Sequence, residues 1–115
     1  MNSVYHAKMS ENYIAVPPGE TIKEQLEYRN MSEAEFAKEM GMSERNVIDL
    51  LEGDIPLTNK IAARLEKVLG IDAPFWNRYE AYYREILAKV EAENKKERER
   101  KHLQDDRPQP RATQL

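Results

Sequence analysis

A chain of 115 residues with 34% charged side chains and a mean hydropathy of -0.85 suits one domain with a modest core and a solvated tail. The absence of cysteine excludes disulfides and thiolate zinc sites. No apolar run nears the roughly 20 residues that span a membrane, and the first residues lack a secretory signal, so a cytoplasmic protein without membrane attachment is expected.

The net charge of -3 conceals a polarity along the chain. Residues 20–58 hold 4 basic and 10 acidic side chains, whereas residues 94–115 hold 7 basic and 4 acidic ones. The segments 1–19 and 59–93 are neutral.

Residues 1–15 show no clear periodicity and are expected to be an arm, either a short strand around Tyr5, Tyr13 and Ile14 or a mobile terminus. Val16-Pro17-Pro18-Gly19 is rigid, and its glycine is expected to turn the chain. A first helix follows over residues 20–28, with Ile22 and Leu26 facing inward and Asn30 suited to a left-handed stop. Ser32-x-x-Glu35 forms a capping box for a second helix, and Met31 with Phe36 forms a hydrophobic staple. Phe36, Ala37 and Met40 make its buried stripe.

Ser43 caps a third helix with Val47, Leu50 and Leu51 inward, and Gly53 stops it. Thr58 caps a fourth, with Ile61, Ala62, Leu65, Val68 and Leu69 as its apolar face, ended by Gly70. Asp72 caps a fifth with Pro74 in its first turn. That helix is expected to continue through the charged run NKKERERK to about residue 101, with residues beyond Leu103 disordered.

The densest information lies in residues 31–53, where Ala37, Gly41 and Val47 fall at the spacing A-x3-G-x5-V. A small residue permits a close helix crossing, a glycine permits the positive φ of a tight turn, and the valine anchors the second helix. That is the layout of a helix-turn-helix, whose second helix can enter a DNA major groove. A generic helical hairpin is the plainer alternative, but capping and spacing agree on the motif.

With these residues in view, the chain resembles the HigA-type (VapI-like) antitoxin branch of the Xre/phage-repressor helix-turn-helix family. The resemblance rests on PPGE at 17–20, the A-x3-G-x5-V core, the fourth helix closing on Leu69-Gly70, and Phe75-Trp76 before a tyrosine-rich helix. It covers residues 16–90 and implies an all-α fold. Five helices would form a phage-repressor-like domain over residues 16–93, with an extended charged C-terminal helix and tail over 94–115.

The resemblance further implies a homodimer that binds double-stranded operator DNA at its own promoter and neutralises an RNase toxin of the HigB type. It implies no cofactor. Bases would be read from Glu44, Arg45, Asn46 and Asp49, with Ser43, Ser32 and Glu33 near phosphates, and Thr58 and Lys60 at the backbone. Glu33 departs from the glutamine usual in the family. Some relatives carry a zinc metallopeptidase domain, but no H-E-x-x-H occurs here.

Chemistry supports part of that assignment. Arg45 suits guanine, Asn46 suits adenine, and Glu44 and Asp49 accept from cytosine N4 but repel phosphates. Phe75, Trp76, Tyr79 and Tyr83 read as core. The apolar stripe is too wide for one helix to bury, so these residues and Leu87 are also expected to form a dimer or partner seam.

The KKERERK run reads as a solvated helix end, and His6 and His102 have no second ligand at metal spacing. No nucleophile–base pair or phosphate loop points to an enzyme. Two functions remain. One is a sequence-specific regulator, and the other is an acidic interaction module with weak or lost DNA binding that neutralises a toxin.

Overall fold

The computed structural model describes residues 7–106. Its order is β1 (Lys8–Met9), β2 (Ile14–Ala15), α1 (Pro18–Tyr28), α2 (Glu33–Met40), α3 (Glu44–Glu52), α4 (Asn59–Leu69) and α5 (Ala73–Asp106). Tyr5, His6 and residues 107–115 lie outside the described residues. The two strands pair antiparallel, Lys8 with Ala15 and Met9 with Ile14, adding a small hairpin to the five expected helices.

Local chemistry sets the helix ends. Ser32 Oγ accepts from Glu35 N at 3.0 Å while Glu35 Oε1 accepts from Ser32 N at 2.9 Å, closing the capping box. Thr58 Oγ1 accepts from Ile61 N at 3.2 Å, and Asp72 Oδ1 from Phe75 N at 3.2 Å. Asn30 takes φ 55 after α1. Gly41 takes φ 68 after α2, and the next N–H, on Met42, reaches back to Ala37 O at 2.9 Å. This is the left-handed stop that lets α2 turn directly into α3.

Gly19 serves a different purpose from the turn expected of it. It lies inside α1, where a Cβ would sit 1.9 Å from Leu51 O. Absence of a side chain is therefore what lets α1 lie against the backbone of α3.

The core gathers one stripe from each helix: Ile22 and Leu26, Phe36 and Met40, Val47 and Leu51, Leu65 and Leu69, and Trp76. Ala37, 4% exposed, keeps the α2 crossing close. Three arginines tie helix ends across this core. Arg64 Nη1 donates to Met40 O at 3.0 Å, Arg29 Nη2 to Leu69 O at 2.7 Å, and Arg84 Nη2 to Gly53 O and Ile55 O at 3.3 Å each. A guanidinium suits the negative end of a helix dipole.

α5 has 34 residues, about 50 Å of helix at 1.5 Å per residue. Its first half packs on the body; from Lys95 to Leu103 every side chain is exposed. The molecule measures 69 × 26 × 21 Å as a result. The helix passes the expected stop near residue 101, because the alternation of Glu with Lys and Arg carries helical propensity of its own. No helix among the described residues is long and apolar enough to cross a membrane.

Candidate nucleic-acid interface

The start of α3 presents the side chains that can meet a base. Ser43 Oγ accepts from Asn46 N at 3.0 Å, so the first turn of α3 is fixed by its own cap. Val47, 0% exposed, and Leu50 anchor the opposite face in the core. With its back held, α3 turns Glu44, Arg45 and Asn46 into solvent. Ser32 and Glu33 at the start of α2, and Thr58 and Lys60 at the start of α4, are exposed as well. The first N–H groups of a helix have no intrahelical acceptor, so these starts favour anions such as phosphate.

The electrostatics oppose that preference. Arg45 Nη2 lies 2.8 Å from Asp49 Oδ1, one helical turn away. Hydrogen bonding and charge from Asp49, with weaker contributions from Glu52 and Asp54, hold the guanidinium above its ordinary pKa. The central cation of the interface thus starts out partnered. A guanidinium has five N–H donors, and its side chain is 69% exposed against 26% for Asp49, so part of its donor fork still faces solvent. Glu33 and Glu44 put two further carboxylates on the exposed surface.

The aromatic seam divides in two. Trp76 is 0% and Tyr83 1% exposed; both are enclosed within the protomer and offer a partner no surface, which corrects their expected place in an interface. Trp76 Nε1 donates to Ile71 O at 3.0 Å, and Tyr83 lies beneath the hairpin with Ala15 and Val90. Leu87 packs against that same small cluster and is half-buried.

What stays partly accessible is a line at steps of four, three and four: Tyr82, which is exposed, with Phe75, Tyr79 and Ile86, which are half-buried, Ile86 packing like Leu87 on the hairpin cluster. Phe75 meets Trp76 and Tyr79 edge-on at 5.1 and 5.9 Å between ring centroids. Tyr82 is 63% exposed. Its outward direction follows from helical phase, since it sits about 100° from Tyr83.

Sequence reasoning missed the cross-helix roles of Arg29, Arg64 and Arg84, whose carbonyl partners lie 24 to 40 residues away. No local signal marks such pairs. Among the described residues no three histidines, aspartates or glutamates gather as metal ligands.

Comparison with known proteins places this geometry. Residues 22–76 match the helix-turn-helix family model. No curated protein matches the sequence. Solved structures do. An addiction-module antidote protein of the HigA family from Coxiella burnetii is 29% identical, with a TM-score of 0.64 over 74% of this chain and 94% of that one. A protein described as an antidote of a plasmid maintenance system from Nostoc punctiforme is 26% identical, with a TM-score of 0.65 over 72% and 91%. The antitoxin HigA of Pseudomonas aeruginosa, solved with the higBA promoter, is 28% identical, with a TM-score of 0.60 over 75% and 92%. Residues 22–76 thus form an Xre-type helix-turn-helix domain, and over most of its length the chain is similar to solved HigA antitoxins.

Proposed function

We propose that this protein is a cytoplasmic, dimeric operator-binding regulator and the antitoxin of a HigBA-like module, repressing its own operon. The observation that carries the reading is the exposed start of α3, with Arg45 and Asn46 on a helix whose other face is locked into the core, in a chain similar to a HigA solved with promoter DNA. Arg45 would read guanine and Asn46 adenine. Ser32, Ser43, Thr58 and Lys60 would hold phosphates. Regulation needs only equilibrium occupancy of the operator, and its signature is selective, salt-weakened affinity. The line Phe75–Tyr79–Tyr82–Ile86 would supply the dimer contact.

The test is binding of the protein to its own upstream DNA against a scrambled duplex at two salt concentrations. Selective binding that weakens with salt supports the regulator. No binding at micromolar protein, with the helices intact, rejects it.

A second reading is favoured by the Arg45–Asp49 pair and by exposed Glu33 and Glu44. In it, the acidic region serves a basic partner such as an RNase toxin, by electrostatic complementarity, and DNA binding is weak or absent. Co-purification with the product of an adjacent short basic gene, together with failure to select the upstream DNA, would favour it.

A further inference from the structure

We propose that residues 7–15 form a releasable strap on α5, latched by the Glu93 carboxylate, and that the attached strap keeps the exposed C-terminal half of α5 helical. The latch is specific. Glu93 Oε1 accepts from Ser10 Oγ at 2.6 Å and from Asn12 N at 3.0 Å, and Glu93 Oε2 accepts from Asn12 Nδ2 at 2.7 Å. The next residue, Asn94, donates from Nδ2 to Met9 O at 3.0 Å. Charge-assisted bonds of this kind are stronger than neutral ones. Beneath the strap Ala15, Tyr83 and Val90 form a small cluster of their own, flanked by Tyr13, Ile86 and Leu87. The Lys89 ammonium lies 5.4 Å from the centre of the Tyr13 ring.

Two properties make the strap releasable. Its strands are two residues each, too short to stand without packing on something else. Its cluster is also separate from the main core, so it can open as a unit of low local stability while the helix-turn-helix stays folded.

The consequence for α5 follows from position. Glu93 and Asn94 are the last half-buried residues of the helix; every described side chain after them is exposed. A free helix of about a dozen residues is marginal in water, and ion pairs such as Glu97 with Arg100 add only tenths of a kcal/mol each. Without the strap the helix loses its final tertiary anchor, and fraying should reach back toward Val90.

Amide hydrogen exchange on the full chain tests this, comparing wild type with a Ser10→Ala/Asn12→Ala double variant and with Glu93→Ala. The double variant leaves the sequence of α5 intact. Both variants should lose protection in residues 8–15 and also in residues 91–103, while residues 33–69 keep theirs. Glu93→Ala carries a built-in contrast, because alanine raises helix propensity; a merely local role for Glu93 would slow exchange in residues 91–103. Unchanged protection of residues 8–15 in both variants overturns the latch. A freed strap with unchanged or slower exchange in residues 91–103 overturns its control of α5.

Discussion

Replacing Gly19 by alanine sets two physical effects against each other. Gly19 lies in the first turn of α1, where helix propensity alone favours alanine by up to about 1 kcal/mol. The added Cβ, however, would stand 1.9 Å from Leu51 O, 2.4 Å from Leu51 C and 2.5 Å from Leu51 Cα. A carbon approaches a carbonyl oxygen no closer than about 3.3 Å, so the two backbones must part by about 1.4 Å. Leu51 is the penultimate residue of α3, 1% exposed, and its carbonyl is backbone, which cannot rotate away as a side chain would.

Overpacking costs roughly 1–3 kcal/mol, and a backbone obstacle belongs at the upper end. The net expectation is a loss of about 2 kcal/mol, or roughly 10 °C in melting temperature for a domain of this size. Urea and thermal unfolding followed by circular dichroism measure it directly. Gly70→Ala is the companion variant. No atom lies within 4 Å of its Cβ position, but φ is +76°, so only backbone strain of about 1–2 kcal/mol acts. A Gly19→Ala protein as stable as wild type, or more so, would refute the close approach of α1 to α3.

Three further outcomes follow. Arg45→Ala should relax base preference at one operator position and weaken binding by roughly 1–3 kcal/mol, whereas Asp49→Asn, by releasing Arg45, should tighten binding and steepen its salt dependence; fluorescence anisotropy titrations read both, and wild-type behaviour of Arg45→Ala would refute the docking geometry. Tyr83→Phe should leave stability unchanged or raise it by up to about 1 kcal/mol, since the buried Tyr83 hydroxyl has no hydrogen-bond partner among the described residues; a clear loss in urea unfolding would point to a partner.

The last outcome concerns pH. Bonds from Ser10 and Asn12 hold the Glu93 carboxyl below its ordinary pKa. Strap attachment should therefore be complete above the usual carboxylate range and be lost as pH falls through and below it. Glu11 from the hairpin and Lys96, Glu97 and Arg100 from α5 line the same cleft as Glu93, Lys89 lies four residues before it on α5, and their charges help set where that transition falls. Tyr13 and Ala15 resonances unchanged from neutral pH to well below the usual carboxylate range, about pH 2, with the helices still folded, would refute it.

Legibility in the sequence followed the range of the interaction. Ser32, Ser43 and Thr58 each act on the amide three residues away, and each is visible in the sequence as a cap. Gly41 was equally plain, because the turn it makes is local. Gly19 was misread because its reason lies across the core on Leu51, and a lone glycine after two prolines looks the same whether it turns a chain or admits a neighbour. The aromatic run of α5 marks an apolar helix in the sequence without assigning which of its faces stays open. The hairpin that covers Tyr83 is held by bonds spanning 81 to 85 residues, beyond the reach of periodicity. At the interface, residue types and exposure were readable. The partnering of Arg45 by Asp49 became clear only with side chains in place, although their spacing of four permits it.

The solitary half of α5 has a hydrodynamic consequence. The Cα radius of gyration is 19.7 Å, against about 13 Å for a compact chain of similar size. A single protomer should therefore tumble and elute like a much heavier sphere. An elution volume ahead of that expected for the chain mass is therefore no proof of a dimer, so the stoichiometry of the protein has to be weighed by light scattering or sedimentation equilibrium, in which mass is independent of drag.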